Sequence, residues 1–197
     1  MKVKIMEKSL ATKNKILDCT IDMLKAGDMD TISMSKIASN AGIGKSTIYE
    51  YFSSKEELVK EALRKEIDMS LEDFLSVKMG KTLYESVYNH LKKGLDIAKD
   101  VIKLVGYPSS NNISFINKEE IKEMTSGALL AVFDRLTEIY YQGVDEKVIV
   151  QKRDFSSKLY ILTGFFKGVL LEKYKHGIPD DEFIDDIYEN MLVLLNN

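Results

Sequence analysis

The feature that most constrains this chain is one stretch, residues 33–58, with the sequence SMSKIASNAGIGKSTIYEYFSSKEEL. Ser33 is a favourable N-cap, because its hydroxyl can accept from a backbone N–H two or three residues later. Gly42 is suited to end the helix that Ser33 begins, because glycine adopts the left-handed conformation without a Cβ clash. A second short helix is predicted from Lys45 to Phe52. The stretch therefore predicts two short helices joined by a tight glycine turn.

The second short helix has one apolar side and one polar side. Ile48 and Phe52 are four residues apart, so both are predicted to point inward. The residues left for the outer surface are Lys45, Ser46, Thr47, Tyr49 and Tyr51. In a helix-turn-helix, the second helix enters the major groove of DNA and the first crosses the backbone. The pattern alone leaves two interpretations open, a DNA-binding helix-turn-helix and an ordinary helical hairpin with a polar face.

Motifs within residues 12–58 resemble the N-terminal domain of TetR-type transcriptional regulators. That family carries IA-x-x-AG-[VI] at the turn, followed by T-[LI]-Y-x-[YH]-F and K-x-x-L. The matching residues here are Ile37-Ala38, Ala41-Gly42-Ile43, Thr47-Ile48-Tyr49, Tyr51-Phe52, and Lys55 with Leu58, with Thr12, Ile16-Leu17 and Gly27 upstream. Gly44 departs from the family, which more often has serine there. The resemblance implies a regulator that binds double-stranded operator DNA through this domain.

The resemblance also implies which side chains touch DNA. The expected contacts are Ser35, Lys36, Lys45, Ser46, Thr47, Tyr49, Tyr51 and Lys55. Base recognition is assigned to Lys45, toward guanine, and to Glu50, toward the N4 amino group of cytosine. The alternative for Glu50 is a solvated surface residue that disfavours wrong sequences by repulsion.

The charge distribution is uneven along the chain. The net charge of −3 does not by itself favour a nucleic-acid binder. Residues 1–55, however, hold nine Lys and Arg against six Asp and Glu, a net +3, whereas residues 56–197 carry −6. A mildly basic N-terminal part on an acidic remainder suits a protein that meets DNA at one end.

Other chemistries find little support in the sequence. Gly44-Lys45-Ser46 resembles the end of a phosphate-binding P-loop, but that loop needs a glycine where Ser39 stands and a preceding strand. Two alternatives to a DNA-binding regulator nevertheless remain: a helical protein-interaction module and an NTP-binding enzyme. We expect no catalytic residues, no metal site and no cofactor, because no nucleophile–base pairing or ligand spacing is present.

The expected location is the cytoplasm. A single cysteine, Cys19, cannot form an intrachain disulfide, which fits a reducing compartment. The N-terminus lacks the apolar run of a signal peptide, and no apolar run approaches the 18 residues of a membrane span.

The remaining periodicity predicts an all-α protein. We expect a three-helix helix-turn-helix DNA-binding domain at 1–54 and a larger helical ligand-binding and dimerisation domain at 55–197. Residues 1–8 are predicted to be frayed. The other predicted helices are 9–26, 55–78, 83–105, 118–142, 153–175 and 181–195.

Two sets of residues in the second domain carry functional predictions. The pair Gly164 and Gly168 costs helix propensity, which close approach of another helix would explain; with the last helix this resembles the family's homodimer interface. The alternative is close packing within one chain. The predicted interface residues are Gly164, Gly168, Phe183, Ile187 and Met191. The candidate lining of a cavity for an unidentified small molecule is Tyr84, Tyr88, His90, Leu91, Tyr107, Phe115, Met124, Phe133, Tyr160 and Phe165.

The resemblance also implies a mechanism. The chain is predicted to be a homodimeric repressor that a small-molecule ligand releases from its operator, with the helix at 55–78 transmitting the change. Physically, this requires only that the ligand bind the conformation that does not bind DNA more tightly.

Overall fold

The structure, a computed structural model, describes residues 2–27, 32–105 and 116–197. Side-chain surroundings are described for all of these except 2–5, 101–105, 118, 121, 165–172 and 174–176. The described residues form eight helices and no strand, which confirms the predicted all-α fold class. The helices are α1 (Lys2–Lys25), α2 (Met34–Asn40), α3 (Lys45–Tyr51), α4 (Lys55–Leu75), α5 (Leu83–Val105), α6 (Lys118–Asp145), α7 (Phe155–His176) and α8 (Asp180–Asn196).

The helix bounds agree with the predicted ones to within three residues, except at the start of α1. Residues 1–8 were expected to be frayed, yet α1 begins at Lys2, so that prediction is wrong. The segment contains neither glycine nor proline and consists mostly of good helix formers, so nothing in it stops the helix from extending.

Side-chain caps account for several helix starts. The backbone N–H of the third residue after each cap donates to the cap oxygen, as in a capping box. The bonds are Glu57 N–H to Ser54 Oγ at 3.1 Å, Glu85 N–H to Thr82 Oγ1 at 3.2 Å and Glu120 N–H to Asn117 Oδ1 at 2.9 Å. Only the last pair is reciprocal, since Asn117 N–H donates to Glu120 Oε2 at 3.0 Å.

The chain divides into two compact units. Unit 1 comprises residues 1–69 and 99–124, and unit 2 comprises residues 70–98 and 125–197. Helices α4, α5 and α6 each contribute residues to both units. This division follows packing, and the predicted functional boundary between residues 54 and 55 stays a prediction.

Unit 1 is built on one apolar cluster that joins α1 to α4. Ile16, Ile48 and Leu58 are fully buried in it, and Ile116, just before α6, is 7% exposed and belongs to the same cluster. Ion pairs lie around this core, among them Lys60 with Glu120 and Lys65 with Asp18 at 2.7 Å.

Unit 2 has an aromatic core between α6, α7 and α8. The ring of Tyr140 stacks on Phe155 with centroids 4.5 Å apart. Close packing beside it requires Gly143, because a Cβ there would lie 2.5 Å from Ile149 Cδ1 and 2.9 Å from Leu83 Cδ2. A smaller cluster contains Leu95, Phe183 and Ile184.

Helix α4 ends at Leu75, three residues before the predicted end, so the prediction that it reaches Lys78 is wrong. The physical reason is Arg135 on α6, whose guanidinium donates to Leu75 O at 3.0 Å and to Val77 O at 2.6 Å. These bonds satisfy carbonyl groups that a continuing helix would have used. Within the described ranges, no helix is both long and apolar enough to span a membrane.

Candidate nucleic-acid interface

The turn between α2 and α3 is formed by local backbone hydrogen bonds. Ser33 caps α2 as predicted, its Oγ accepting from Lys36 N–H at 3.2 Å. At the other end, Ile43 N–H donates to Ala38 O at 2.9 Å and Gly42 N–H donates to Ser39 O at 3.0 Å. This is a Schellman motif, and its left-handed residue is Gly42, with φ of +63°. The turn is therefore specified by the sequence itself.

Helix α3 is anchored by its apolar side. Ile48 is 0% exposed and Phe52, directly after the helix, is 1% exposed, as predicted. On the other side Lys45, Ser46 and Glu50 are exposed, and Tyr49 is 50% exposed. The helix thus presents a cation, a hydroxyl, an aromatic ring and a carboxylate to solvent from a rigid base.

The nine predicted DNA contacts all keep solvent-exposed surface. Ser35 on α2 is exposed, while Lys36 and Thr47 are partly exposed. Tyr51 is partly buried because its ring packs against the core of unit 1. Lys55, the first residue of α4, is also partly exposed. These positions are compatible with DNA contact, and the individual contacts stay predictions.

The junction between α3 and α4 is held by Glu57. Its carboxylate accepts from Ser53 Oγ at 2.5 Å and from Ser53 N–H at 2.7 Å. The hydroxyl and then the backbone hydrogen bond from Ser53 lower the pKa of Glu57 below its usual value, because both favour the charged form. These bonds orient the first turn of α4, where Lys55 lies.

Two lysines of α1 near this surface differ in their surroundings. Lys15 Nζ lies 3.7 Å from where a Cβ at Gly42 would be, so it adds a positive charge at the α2–α3 turn. Lys13 instead pairs with Glu61 at 2.7 Å and lies 5.4 Å from the centroid of the Phe52 ring. Sequence reasoning missed Lys15, because its approach to the turn depends on how α1 packs.

The Gly44-Lys45-Ser46 segment does not follow a strand. It begins α3 and comes after helix α2, to which Ser39 belongs. A P-loop requires a strand, a glycine-rich loop and then a helix.

The described candidates for a ligand cavity are distributed over several places. Tyr84 and Tyr88 donate to Asp185 and Asp181 of α8, each at 2.6 Å. The bond to Asp185 is the largest cause that raises the pKa of Tyr84, to about 12. Met124 is half-buried in unit 1. Tyr107 and Phe115, and the side chain of Phe165, lie outside the described residues.

The four other candidates belong to unit 2: His90 is buried, Leu91 and Phe133 are partly buried, and Tyr160 is exposed. The Phe133 ring stacks on Tyr160 at 4.5 Å, and Leu91 packs against both apolar clusters. His90 is buried, with its Nδ1 2.7 Å from Ser86 O and its Nε2 3.0 Å from Arg135 Nη1. Arg135 can only donate, so the ring is neutral and protonated on Nδ1. Burial lowers the pKa of His90.

The predicted dimer residues fall into two groups. Gly164 is exposed, and a Cβ added there would meet nothing within 4 Å, so no close packing among the described residues explains the glycine. The surroundings of Gly168 lie outside the described residues. Phe183 and Met191, by contrast, are buried in the core of unit 2 itself, and Ile187 is half-buried.

Comparisons with known proteins agree with this geometry. Residues 16–62 match the family model described as bacterial regulatory proteins, tetR family. The chain is 25% identical over 183 residues to the HTH-type transcriptional regulator SAR0097 of Staphylococcus aureus, covering 88% of each protein. It is 23% identical over 189 residues to IcaR of Staphylococcus epidermidis, a negative transcriptional regulator of the biofilm operon icaADBC, covering 93% of this chain and 98% of that protein.

A solved structure shows the same fold. The tetR-family transcriptional regulator from Streptomyces coelicolor superimposes with a TM-score of 0.73 over 93% of this chain and 80% of that chain, at 15% identity. The predicted resemblance, including the N-terminal helix-turn-helix, is confirmed.

Proposed function

We infer that this chain is a DNA-binding transcriptional regulator of the tetR family, because residues 16–62 match that family's model and its relatives are transcriptional regulators. We propose that it acts in the cytoplasm as a homodimeric repressor that a small molecule releases from operator DNA. Repression is supported by IcaR, which is named a negative regulator and aligns over nearly its whole length.

The observation that carries DNA binding is the two-sided character of α3. Its buried residue, Ile48, fixes the helix on unit 1, while Lys45, Ser46 and Glu50 remain exposed on the opposite side. Lysine and hydroxyl groups bind phosphate oxygens or the base edges of the major groove. Because α3 is rigidly seated, these groups reach DNA in one orientation.

Lys45 is the only cation of α3, so its removal tests this assignment. A duplex bound by the parent protein is first selected from a random library. On that duplex, Lys45→Ala should weaken binding by about 1–3 kcal/mol and reduce the salt dependence of the affinity, with folding intact. The matched control is Lys81→Ala, an exposed lysine of unit 2.

Unchanged affinity of the Lys45 variant would show that α3 does not read this DNA. If the parent protein binds no duplex with a salt-dependent affinity, the helical protein-interaction module becomes the better interpretation. A titration with ATP tests the enzyme alternative directly.

The homodimer is supported by Gly164, because a Cβ added there would meet none of the described residues within 4 Å. Exposed apolar side chains lie on the same helix at Tyr160 and Ile161, each 58% exposed, and on α8 at Val193, 61% exposed. A two-fold dimer also matches paired half-sites in DNA.

Gly164→Leu should therefore give monomers in sedimentation and weaken DNA binding, because interfaces pack as densely as interiors. Gly127→Leu on α6 is the matched control, since an added Cβ there also meets nothing within 4 Å. A Gly164 variant that stays fully dimeric would place the interface elsewhere.

Release by a ligand has a thermodynamic signature. A coupling free energy of about 1–3 kcal/mol changes operator affinity roughly 5–150-fold, and bound operator must weaken ligand binding by the same factor. Calorimetry with and without the operator duplex measures this. Equal ligand affinities would leave a DNA-binding dimer without ligand release.

A further inference from the structure

Lys158 is a charged residue in an apolar setting. It lies on the inward side of α7, at helical spacing from Phe155 and Leu162 and next to Leu159, all of which pack in the core cluster of unit 2. The residue is 9% exposed, and its Nζ is buried and has no hydrogen-bond partner in the described part of the chain.

One weak ion pair accompanies this ammonium. Asp154 Oδ2 lies 3.6 Å from Lys158 Nζ, which is beyond hydrogen-bonding distance for a charged pair, and the Asp154 side chain is 61% exposed. An ammonium carries three donors and loses its hydration when buried, so such a group is costly unless a partner satisfies it.

Lys173, another buried lysine of unit 2, has an ammonium group whose hydrogen-bonding needs are met. Lys173 Nζ donates to Ile178 O at 2.7 Å and pairs with Asp180 at 2.5 Å. Its role is structural, since it ties the end of α7 to the start of α8. Lys158 has no equivalent acceptor in the part of the chain that the structure describes, although it is almost as deeply buried.

We propose that Lys158 binds the negatively charged group of the small-molecule effector. This inference rests on the proposed ligand-released function and specifies the chemistry of the ligand: an amphiphile with one anionic group and an apolar body. The anion pairs with Lys158 Nζ, and exposed Asp154 turns toward solvent.

The neighbouring side chains account for the apolar body of the ligand. Phe133, Leu136 and Leu162 pack against the same cluster but are only partly buried, so apolar surface remains for a ligand to cover. Burying such surface favours binding of an alkyl or aryl group.

The experiment uses the full-length protein with decanoate at submicellar concentration as the probe. Decanol and decyltrimethylammonium serve as the neutral and cationic controls. Decanoate should bind the protein and release it from operator DNA. Lys158→Met should weaken decanoate binding about 10- to 100-fold, the value of a hydrogen bond to a charged group, while decanol binding stays unchanged.

Two further variants keep the test interpretable. Lys158→Gln keeps a polar side chain without the charge and should show a similar loss if the methionine variant folds poorly. Lys81→Met removes an exposed lysine of unit 2 and should bind decanoate as the parent does. Without ligand, Lys158→Met should unfold at a higher temperature, because it removes a buried charge whose ion pair with Asp154 is weak.

Several outcomes would overturn the inference. Equal decanoate affinity of the parent and both Lys158 variants would show that the ammonium does not hold the anion, and tighter binding of decanol than of decanoate would exclude an anionic ligand. Monomeric Lys158 variants in sedimentation would assign the ammonium to a contact with a second copy of the chain. In each case operator binding by the unliganded protein is measured separately. A negative result with decanoate would therefore not count against the proposed DNA-binding function.

Discussion

The two compact units differ in how they treat polar groups in their cores. Among the described residues of unit 1, the buried polar ones are Thr20, whose hydroxyl donates to Ile16 O at 2.8 Å on its own helix, and Glu66, paired with Lys25 at 2.7 Å. In unit 2, Ser86, His90, Lys158 and Lys173 are buried. The described core of unit 1 thus contains two buried polar residues beneath a polar outer surface, whereas the described core of unit 2 contains four.

This difference is compatible with the two tasks proposed above, DNA binding and ligand recognition. A surface that meets DNA needs a rigid helix whose outward residues are free to bind, and an apolar core provides that at little cost. A body that recognises a small molecule needs polar groups placed among apolar ones, because they orient the ligand and provide specificity. Each prediction below tests one side of this contrast.

The largest expected effect is on the apolar base of α3. Ile48→Ala should lower the free energy of unfolding by about 2–5 kcal/mol, because Ile48 is 0% exposed and its truncation leaves a cavity. DNA binding should be lost together with stability. Leu130→Ala in unit 2 is the control and should change stability little, since that residue is 63% exposed. Urea unfolding of both variants makes the comparison, and equal losses would refute it.

The polar core of unit 2 should come next. Arg135→Met removes the donors to Leu75 O, Val77 O and His90 Nε2. We expect a loss of about 2–4 kcal/mol, because three acceptors lose their donor and an acceptor shielded from water costs up to roughly 1–3 kcal/mol when unpaired. Lys65→Met in unit 1 breaks the more exposed pair with Asp18 and should cost less than about 1 kcal/mol. A Lys65 effect as large as that of Arg135 would contradict the contrast between the units.

Two glycines of unit 2 distinguish its interior from its surface. Gly143→Ala places a Cβ against Ile149 and Leu83, both buried. It should destabilise the protein by about 1 kcal/mol, because the cost of overpacking exceeds the gain in helix propensity. Gly164→Ala should instead stabilise the isolated chain, by up to about 1 kcal/mol, since nothing lies near the new Cβ. Thermal unfolding at low protein concentration measures both. If Gly164→Ala lowered the unfolding temperature at low protein concentration, another part of the same chain would have to pack against Gly164.

The smallest effect is a difference in acid sensitivity. The lowered pKa of His90 means that the unfolded chain binds more protons as the pH falls below about 6.5, so His90 makes unit 2 lose stability from there down to its folded pKa. Glu57 and Glu120 in unit 1 also have lowered pKa values, but their contribution is lost only as the pH falls below about 4.5.

Hydrogen exchange at pH 7 and pH 5.5, corrected for intrinsic rates, should therefore show weaker protection around α5 and unchanged protection in α2 and α3. His90→Gln should abolish the difference in unit 2. Equal acid sensitivity of the two units would contradict the assignment of a neutral His90.

Much of the DNA-facing part could be predicted because its signals are local. The Ser33 cap, the left-handed Gly42 and the buried pair Ile48 and Phe52 depend on residues within a few positions of one another. Local hydrogen bonds and helical spacing decide such features before any long-range packing occurs. The same holds for the capping oxygens at the starts of α4, α5 and α6.

The sequence by itself therefore determined the helices, the turn and the outward residues of α3. Only the tertiary structure decided that Arg135 ends α4 at Leu75, that Lys15 reaches the α2–α3 turn, and that Lys158 is buried without a hydrogen-bond acceptor among the described residues. These contacts join residues far apart in the chain, and a lysine or arginine has the same helical propensity whether its charge reaches solvent, a carbonyl or an apolar core. Packing alone chooses among those surroundings, and that choice gives each of these charges its role.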